Sequence, residues 1–204
     1  MSLFYRYKPK KDRALLPLAS ALAKAGVTPN QVTVAGLVIS LFAAGMAALG
    51  HLHAGIALFF IGACMDALDG SLARATGSCT DRGRYLDSVC DRSSELAFLA
   101  GAVVGGSPPS ALLVAAGSLA LLLARTMVHS KGLRSDVAWF SRPERLVFII
   151  IGLLAPYPVN VGMFLTAGVL SSISALQVLR VSKKAAKDAR RLQQFKSPQN
   201  IYSK

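Results

Sequence analysis

Residues 27–65 contain no Lys, Arg, Asp or Glu. A charge-free run of this kind is about twice the ~20 residues that a helix needs to span a bilayer. The interruption at Gly50-His-Leu-His-Ala-Gly divides it into a hairpin of two helices. The first starts at Thr28-Pro-Asn-Gln31, a capping box with Pro at the first helical position. The second runs from about Ala54 to Ala75.

The pattern continues downstream. A third helix begins near Arg82 and ends at Gly105-Gly-Ser-Pro-Pro-Ser. A fourth runs from about Pro109 to Lys131. A fifth starts at Ser141-Arg-Pro-Glu144, another capping box, and stops at Pro156-Tyr-Pro; a sixth runs from about Asn160 to Val181. The expected fold is therefore an all-α integral membrane protein with six transmembrane helices. Before them, Leu15, Leu18, Ala19 and Leu22 mark one side of an amphipathic juxtamembrane helix on the membrane surface. The basic start followed by an apolar stretch also resembles a signal peptide, but Pro17 and Lys24 break that stretch. Three segments result: an amphipathic segment over 1–26, a six-helix membrane domain over 27–182, and a basic tail over 183–204.

Charge supports a membrane setting. The chain is 53% hydrophobic and only 16% charged, against about 25% charged for an ordinary soluble domain. Its formal charge of +13 comes from 23 Lys and Arg against 10 Asp and Glu. The basic residues cluster at the ends of apolar runs. That placement fits cytoplasmic loops and anionic lipid headgroups, so a nucleic-acid partner is not expected. The loops at 50–55, 105–110 and 155–160 carry no Lys or Arg. The N-terminus, the 75–84 loop, the 125–145 loop and the tail carry nearly all of them. By the positive-inside rule both termini are cytoplasmic, in a multi-pass protein of the cell membrane. Cys64, Cys79 and Cys90 form no Cys-x-x-Cys pair and are expected to be buried free thiols. Gly101 and Gly105 are four apart, a small-xxx-small pattern expected to pack inside the bundle.

Four carboxylates stand out against this background. Asp66, Asp69, Gly70 and Ala73 share one face of the second helix, and Gly83, Asp87 and Asp91 share one face of the third. The connecting turn is short, so the two faces can meet. Ionisable residues in membrane helices are costly and mark function by default. Four facing carboxylates repel unless cations neutralise them. An oxygen-only set without His or Cys suits Mg²⁺, Mn²⁺ or Ca²⁺ rather than zinc. The small residues Gly70, Ala73 and Gly83 leave room for a ligand to approach the backbone. Interhelical hydrogen bonds, a divalent-cation transporter and a prenyltransferase are alternative readings of such a cluster. A transporter would need acids lining a path through the midplane, whereas these lie near one side.

The full pattern is Asp66-x-x-Asp69-Gly70-x-x-Ala73-Arg74, eight residues, then Gly83-x-x-x-Asp87-x-x-x-Asp91. It resembles the signature of the CDP-alcohol phosphatidyltransferase family at every position, and the six-helix layout is similar as well. The resemblance implies an enzyme that joins a CDP-linked lipid to an alcohol through a phosphodiester and releases CMP. It implies two Mg²⁺ or Mn²⁺ ions held by Asp66, Asp69 and Asp87 with Asp91 near them, the ions bridging the pyrophosphate. Asp91 would be the catalytic base that takes the acceptor hydroxyl's proton. Asp69, Gly70, Ala73, Arg74 and Gly83 would meet the CDP moiety, and Asn30 lies in a segment similar to one that approaches the nucleotide. Arg74 has a plain salt bridge as its bland alternative. A homodimer is implied by the resemblance alone.

The acceptor is expected to face the 125–145 loop. Arg125, Lys131, Arg134, Arg142 and Arg145 would attract a phosphorylated alcohol, since Arg forks match phosphate. The bland alternative is a positive-inside loop on lipid headgroups, with Trp139 and Phe140 as its anchors. Gly132-Leu-Arg134, Arg142-Pro-Glu-Arg-Leu146 and Leu86-Asp-Ser-Val-Cys-Asp-Arg92 resemble the phosphatidylinositol-phosphate synthase branch and its archaetidylinositol-phosphate relatives. Arg125 and Met127 stand where that branch usually carries a Lys and an Arg. The implied donor is CDP-diacylglycerol or CDP-archaeol and the implied acceptor inositol 1-phosphate. Glycerol 3-phosphate is the next acceptor, and an uncharged alcohol such as serine the third.

Overall fold

In a computed structural model the backbone is described for residues 8–129, 140 and 142–196, and side chains for 15–128, 140 and 142–183. Among the described residues the chain is all helical, in the order α1 Lys8–Lys24, α2 Pro29–Ala48, α3 Leu52–Ala75, α4 Asp81–Val104, α5 Ala111–His129, α6 Arg142–Leu154 and α7 Val159–Lys196.

Local chemistry sets several boundaries. At Thr28 the predicted capping box forms: the Gln31 N–H donates to Thr28 Oγ1 at 3.4 Å, and the Thr28 N–H donates to Gln31 Oε1 at 2.8 Å. Thr80 caps α4 by accepting from the Gly83 N–H at 3.0 Å. The α2–α3 and α4–α5 turns contain Gly50 at φ +84° and Gly106 at φ +102°, a region that favours residues without a Cβ.

Helix α2 is the spine of the site. Both α3 and α4 pack closely along it, while the α3 and α4 backbones stay further apart. The close approach to α4 depends on Gly101 and Gly105, where a Cβ would overlap the carbonyls of Ala44 and Ala47. The small-xxx-small pattern is thus an internal contact. Beside it, Phe59 of α3 and Phe98 of α4 stack with ring centroids 4.2 Å apart. Helix α7 closes the bundle against α5 and α6, with a Cβ at Gly168 in tight contact with Leu113.

Helices α2, α3, α5 and the Val159–Lys183 part of α7 are long and apolar enough to cross a membrane. Their outer faces carry Val38, Phe42, Phe60, Leu123, Val169 and Leu176, all exposed. An apolar surface this extensive fits lipid as solvent. Helix α4 matches the others in length, but the part from Asp81 to Glu95 carries Asp81, Arg82, Arg84, Asp87, Asp91, Arg92 and Glu95. Helix α6 has 13 residues, or about 20 Å at 1.5 Å per residue, short of a ~30 Å hydrocarbon core.

Four expectations need correcting. The last helix does not stop near Val181 but continues to Lys196, although its apolar, membrane-spanning part ends at Lys183. On α1, Ala19 is buried against Leu68 and Leu72 of α3, with Leu22 packed beside it, whereas Leu18 points outward. The juxtamembrane helix is docked on the bundle, and its apolar residues divide between two surfaces. Of the cysteines only Cys90 is buried; Cys64 and Cys79 are exposed. Phe140 is not an exposed headgroup anchor. It is buried, meets Phe148 edge to face at 5.6 Å, and its N–H donates to Ser174 Oγ at 3.1 Å. Trp139 lies outside the described residues.

Candidate active site

The aspartates meet at one end of the bundle, near the α3–α4 turn. Oxygens of Asp66, Asp69 and Asp87 all lie within 4.8 Å of one another. Helical spacing puts Asp66 and Asp69 on one side of α3, and the gap between the α3 and α4 backbones admits the carboxylates. Asp69 is 4% exposed. It is held by Thr33 of α2, whose hydroxyl donates to Asp69 Oδ2 at 2.5 Å. Asp91 stands one turn beyond Asp87 and is engaged from α6: Arg142 Nη1 lies 2.6 Å from Asp91 Oδ1 and also pairs with Asp66 Oδ2. Arg142 therefore bridges the two acids that begin and end the signature.

Two cavities share the Thr33–Asp69 contact. The larger, of about 180 Å³, is lined by Asn30, Asp69, Gly70, Ala73, Arg74, Gly83 and Asp87, together with Pro29, Thr33, Ser78, Cys79, Thr80 and Arg84. All six residues expected to contact CDP therefore line one space. A Cβ at Gly83 would sit 3.0 Å from Thr80 Oγ1 and 3.5 Å from Asn30 Oδ1, and one at Gly70 would sit 3.3 Å from the Arg74 guanidinium. The glycines keep the cavity open between these groups. Arg74 donates to Ser71 Oγ at 3.3 Å while still lining the cavity. The smaller cavity, of about 10 Å³, is lined by Asp66, Asp69, Asp91 and Arg142 with Thr33, Gly36, Leu37, Gly62, Cys90 and Ser94.

The donor set fits a divalent cation. Three carboxylates converge, and Asp87 Oδ1 is buried without a hydrogen-bond partner. A hard cation satisfies such an oxygen and removes the repulsion among the acids.

The acceptor-side cations divide. Arg142 reaches the acids. Arg125 lies on α5, half-buried. Lys131 and Arg134 lie outside the described residues. Arg145 departs from expectation. It is fully buried and forms a bidentate pair with Glu95 of α4, at 2.7 Å from Nε and 2.9 Å from Nη2. Its guanidinium is directed into the protein because Glu95, 50 residues away in sequence, supplies a matching carboxylate there. Thr33 and Glu95 are the residues that sequence reasoning missed. Thr33 had no signal, being a hydroxyl inside an apolar helix. Glu95 had one: it extends the four-residue spacing of Asp87 and Asp91.

Comparison with known proteins agrees with this geometry. The family model for CDP-alcohol phosphatidyltransferase matches residues 26–178. The archaetidylinositol phosphate synthase of Pyrococcus horikoshii is 36% identical over 183 residues, covering 88% of this chain and 96% of that one. The phosphatidylinositol phosphate synthase of Mycobacteroides abscessus is 35% identical over 166 residues, covering 74% and 76%. The crystal structure of Mycobacterium tuberculosis phosphatidylinositol phosphate synthase with CDP-DAG bound superposes with a TM-score of 0.71 at 30% identity, covering 83% of this chain and 94% of that one. The same enzyme in complex with manganese and citrate gives 0.71 at 29% identity, covering 82% and 88%. The family match spans the helices that build the site, and the signature residues gather on its cavity and its acids: the chain belongs to the CDP-alcohol phosphatidyltransferase family.

Proposed function

We propose that this protein transfers a phosphatidyl or archaetidyl group from a CDP-linked lipid to inositol 1-phosphate and releases CMP. One observation carries the reading. The residues that the signature assigns to the nucleotide line one cavity together with Asp87 of the acid cluster, and Arg142 pairs with Asp66 and Asp91 of that cluster from α6. The relatives named above, which make inositol-phosphate lipids, support the choice of acceptor.

In this reading Asn30, Gly70, Ala73, Arg74 and Gly83 hold the CDP group, with the glycines admitting it against the backbone. Asp66, Asp69 and Asp87, with Asp91 beside them, hold two Mg²⁺ or Mn²⁺ ions. When bound, such ions neutralise the acids and withdraw charge from the pyrophosphate. Asp91 accepts the proton of the acceptor hydroxyl as that oxygen attacks the lipid-side phosphorus; the bond from this phosphorus to the CMP oxygen breaks, and CMP leaves with the electron pair. Arg142 holds the acceptor phosphate beside Asp91, with Arg125, Lys131 and Arg134 adding positive charge. Arg145 contributes through its hold on Glu95 rather than by direct contact.

The same reading counts α4 and α6 as spans, giving six. Enclosure of Asp91, Arg92 and Glu95 of α4 inside the bundle, and the position of α6 in the chain between the spans α5 and α7, favour that count. The basic residues near the α3–α4 turn and in the tail favour a cytoplasmic side for both termini and the site. The units 1–26, 27–182 and 183–204 then serve as membrane-docking segment, catalytic bundle and tail, and the resemblance carries a homodimer with it.

Mass spectrometry of lipid extracts after incubation with CDP-diacylglycerol, Mg²⁺ and inositol 1-phosphate tests the product. Phosphatidylinositol phosphate is expected. Formation of phosphatidylglycerol phosphate from glycerol 3-phosphate, with none from inositol 1-phosphate, would replace the acceptor assignment.

A further inference from the structure

The family signature ends at Asp91, but the acidic stripe of α4 does not. Glu95 follows at the same four-residue spacing, on the same helix face. Opposite it, Arg142 and Arg145 stand three apart on α6. The result is a ladder of two ionic rungs: Arg142 to Asp91 at 2.6 Å, and Arg145 to Glu95 at 2.7 Å and 2.9 Å. The rungs differ in environment. Side chains of the outer pair are each 14% exposed and line the small cavity, whereas those of the inner pair are 0% and 1% exposed. Glu95 lines neither cavity of the site.

We infer that Glu95 is a positioning residue for the acceptor side of the site: by fixing Arg145 it sets the register of α6, and so the place of Arg142 between Asp66 and Asp91. The inference rests on the proposed role of Arg142.

First, α6 joins the core through Ile149 and Leu153, but apolar contact is non-directional and tolerates sliding and rotation. A bidentate guanidinium–carboxylate fork does not, because both nitrogens must align with both oxygens. Second, the two arginines are one helical turn apart, so fixing one base fixes the other. Third, Arg92 lies buried in the same region at 6% exposure, with Nε and Nη1 lacking hydrogen-bond partners. Without the Glu95 charge, Arg145 and Arg92 are left to compete with Arg142 for Asp91. Glu95 keeps Arg145 out of that competition.

The test uses the full-length protein in detergent, with two readouts. In the first, Glu95→Gln is expected to lower kcat/KM for inositol 1-phosphate by about 10- to 100-fold, the range for supporting contacts around a site. Affinity for CDP with Mn²⁺, measured by calorimetry, should stay within about 2-fold, since the nucleotide cavity is built without Glu95. In an Arg142→Ala background the same substitution should add less than about 2-fold, because the two act in series. A full additional loss in that background, or an equal loss of CDP affinity, would overturn the inference in favour of a general structural role.

The second readout does not need turnover. Amide hydrogen exchange over 142–149 should accelerate in Glu95→Gln relative to 111–128 of α5, and unchanged exchange would overturn the ladder. Should Glu95→Gln not purify folded, Glu95→Asp shortens the fork while keeping its charge and is expected to move both readouts the same way. Wild-type protein that releases no CMP with any phosphorylated acceptor would remove the proposed function, while the exchange experiment would still decide the ladder.

Discussion

Thr33 on α2 donates a 2.5 Å hydrogen bond to Asp69 on α3, across 36 residues of sequence. This contact ties the spine helix to the acid most enclosed by the site, and it borders both cavities. A carboxylate oriented in this way presents a fixed oxygen to a cation. Thr33→Val keeps the shape and removes the donor. It should weaken Mn²⁺ binding by about 10-fold, with Thr33→Ser close to wild type. Mn²⁺ titration followed by electron paramagnetic resonance checks this, and equal affinity in all three proteins would show that Thr33 does not orient the ligand.

Asp91→Asn should retain CDP-lipid binding and lose turnover by at least about 100-fold, the low end for a general base. The amide keeps the volume of the carboxylate but cannot accept the proton. Calorimetric CDP affinity and CMP release separate the two effects. Near-normal turnover would remove Asp91 as the base.

Arg142→Ala should raise the KM for a phosphorylated acceptor by about 10-fold or more, and the donor KM by clearly less. Arg142 faces Asp66 and Asp91 and lines only the small cavity, which shares Thr33 and Asp69 with the nucleotide cavity but not Asn30, Gly70, Ala73, Arg74 or Gly83. Steady-state kinetics with each substrate varied in turn distinguishes the outcomes. Equal changes in both KM values would mark Arg142 as a counter-ion for the acids alone.

Gly101→Ala should destabilise the bundle by about 1–3 kcal/mol despite the better helix propensity of alanine. Its Cβ would overlap the Ala44 carbonyl, which is backbone and cannot rotate aside. Thermal unfolding in detergent measures this. CDP affinity in the surviving folded protein should be unchanged, because Gly101 lies ten residues, about 15 Å, along α4 from Asp91.

The residues that disclosed themselves in the sequence act over short separations. The Thr28–Gln31 capping box is a four-residue signal, and the structure forms it. The two faces of aspartates and glycines follow from helical periodicity, and the faces meet as their spacing requires. What stayed hidden depends on partners distant in sequence. Arg145 reads as one more loop cation until Glu95 is placed opposite it. Thr33 reads as filler in an apolar helix until Asp69 arrives beside it. The end of α7 was misplaced for a different reason. Hydropathy falls at Val181, but hydropathy marks where lipid ends and not where a helix ends. The Ala-, Lys- and Arg-rich stretch that follows has high intrinsic helix propensity and continues the helix to Lys196.

The most direct test of the account is CMP release by purified protein supplied with CDP-diacylglycerol and Mg²⁺ or Mn²⁺, with inositol 1-phosphate, glycerol 3-phosphate, serine or no acceptor, and with CDP-archaeol as a second donor. Release is expected to depend on both the metal and inositol 1-phosphate. Absence of release with every donor, acceptor and metal, together with absence of CDP binding, would contradict it.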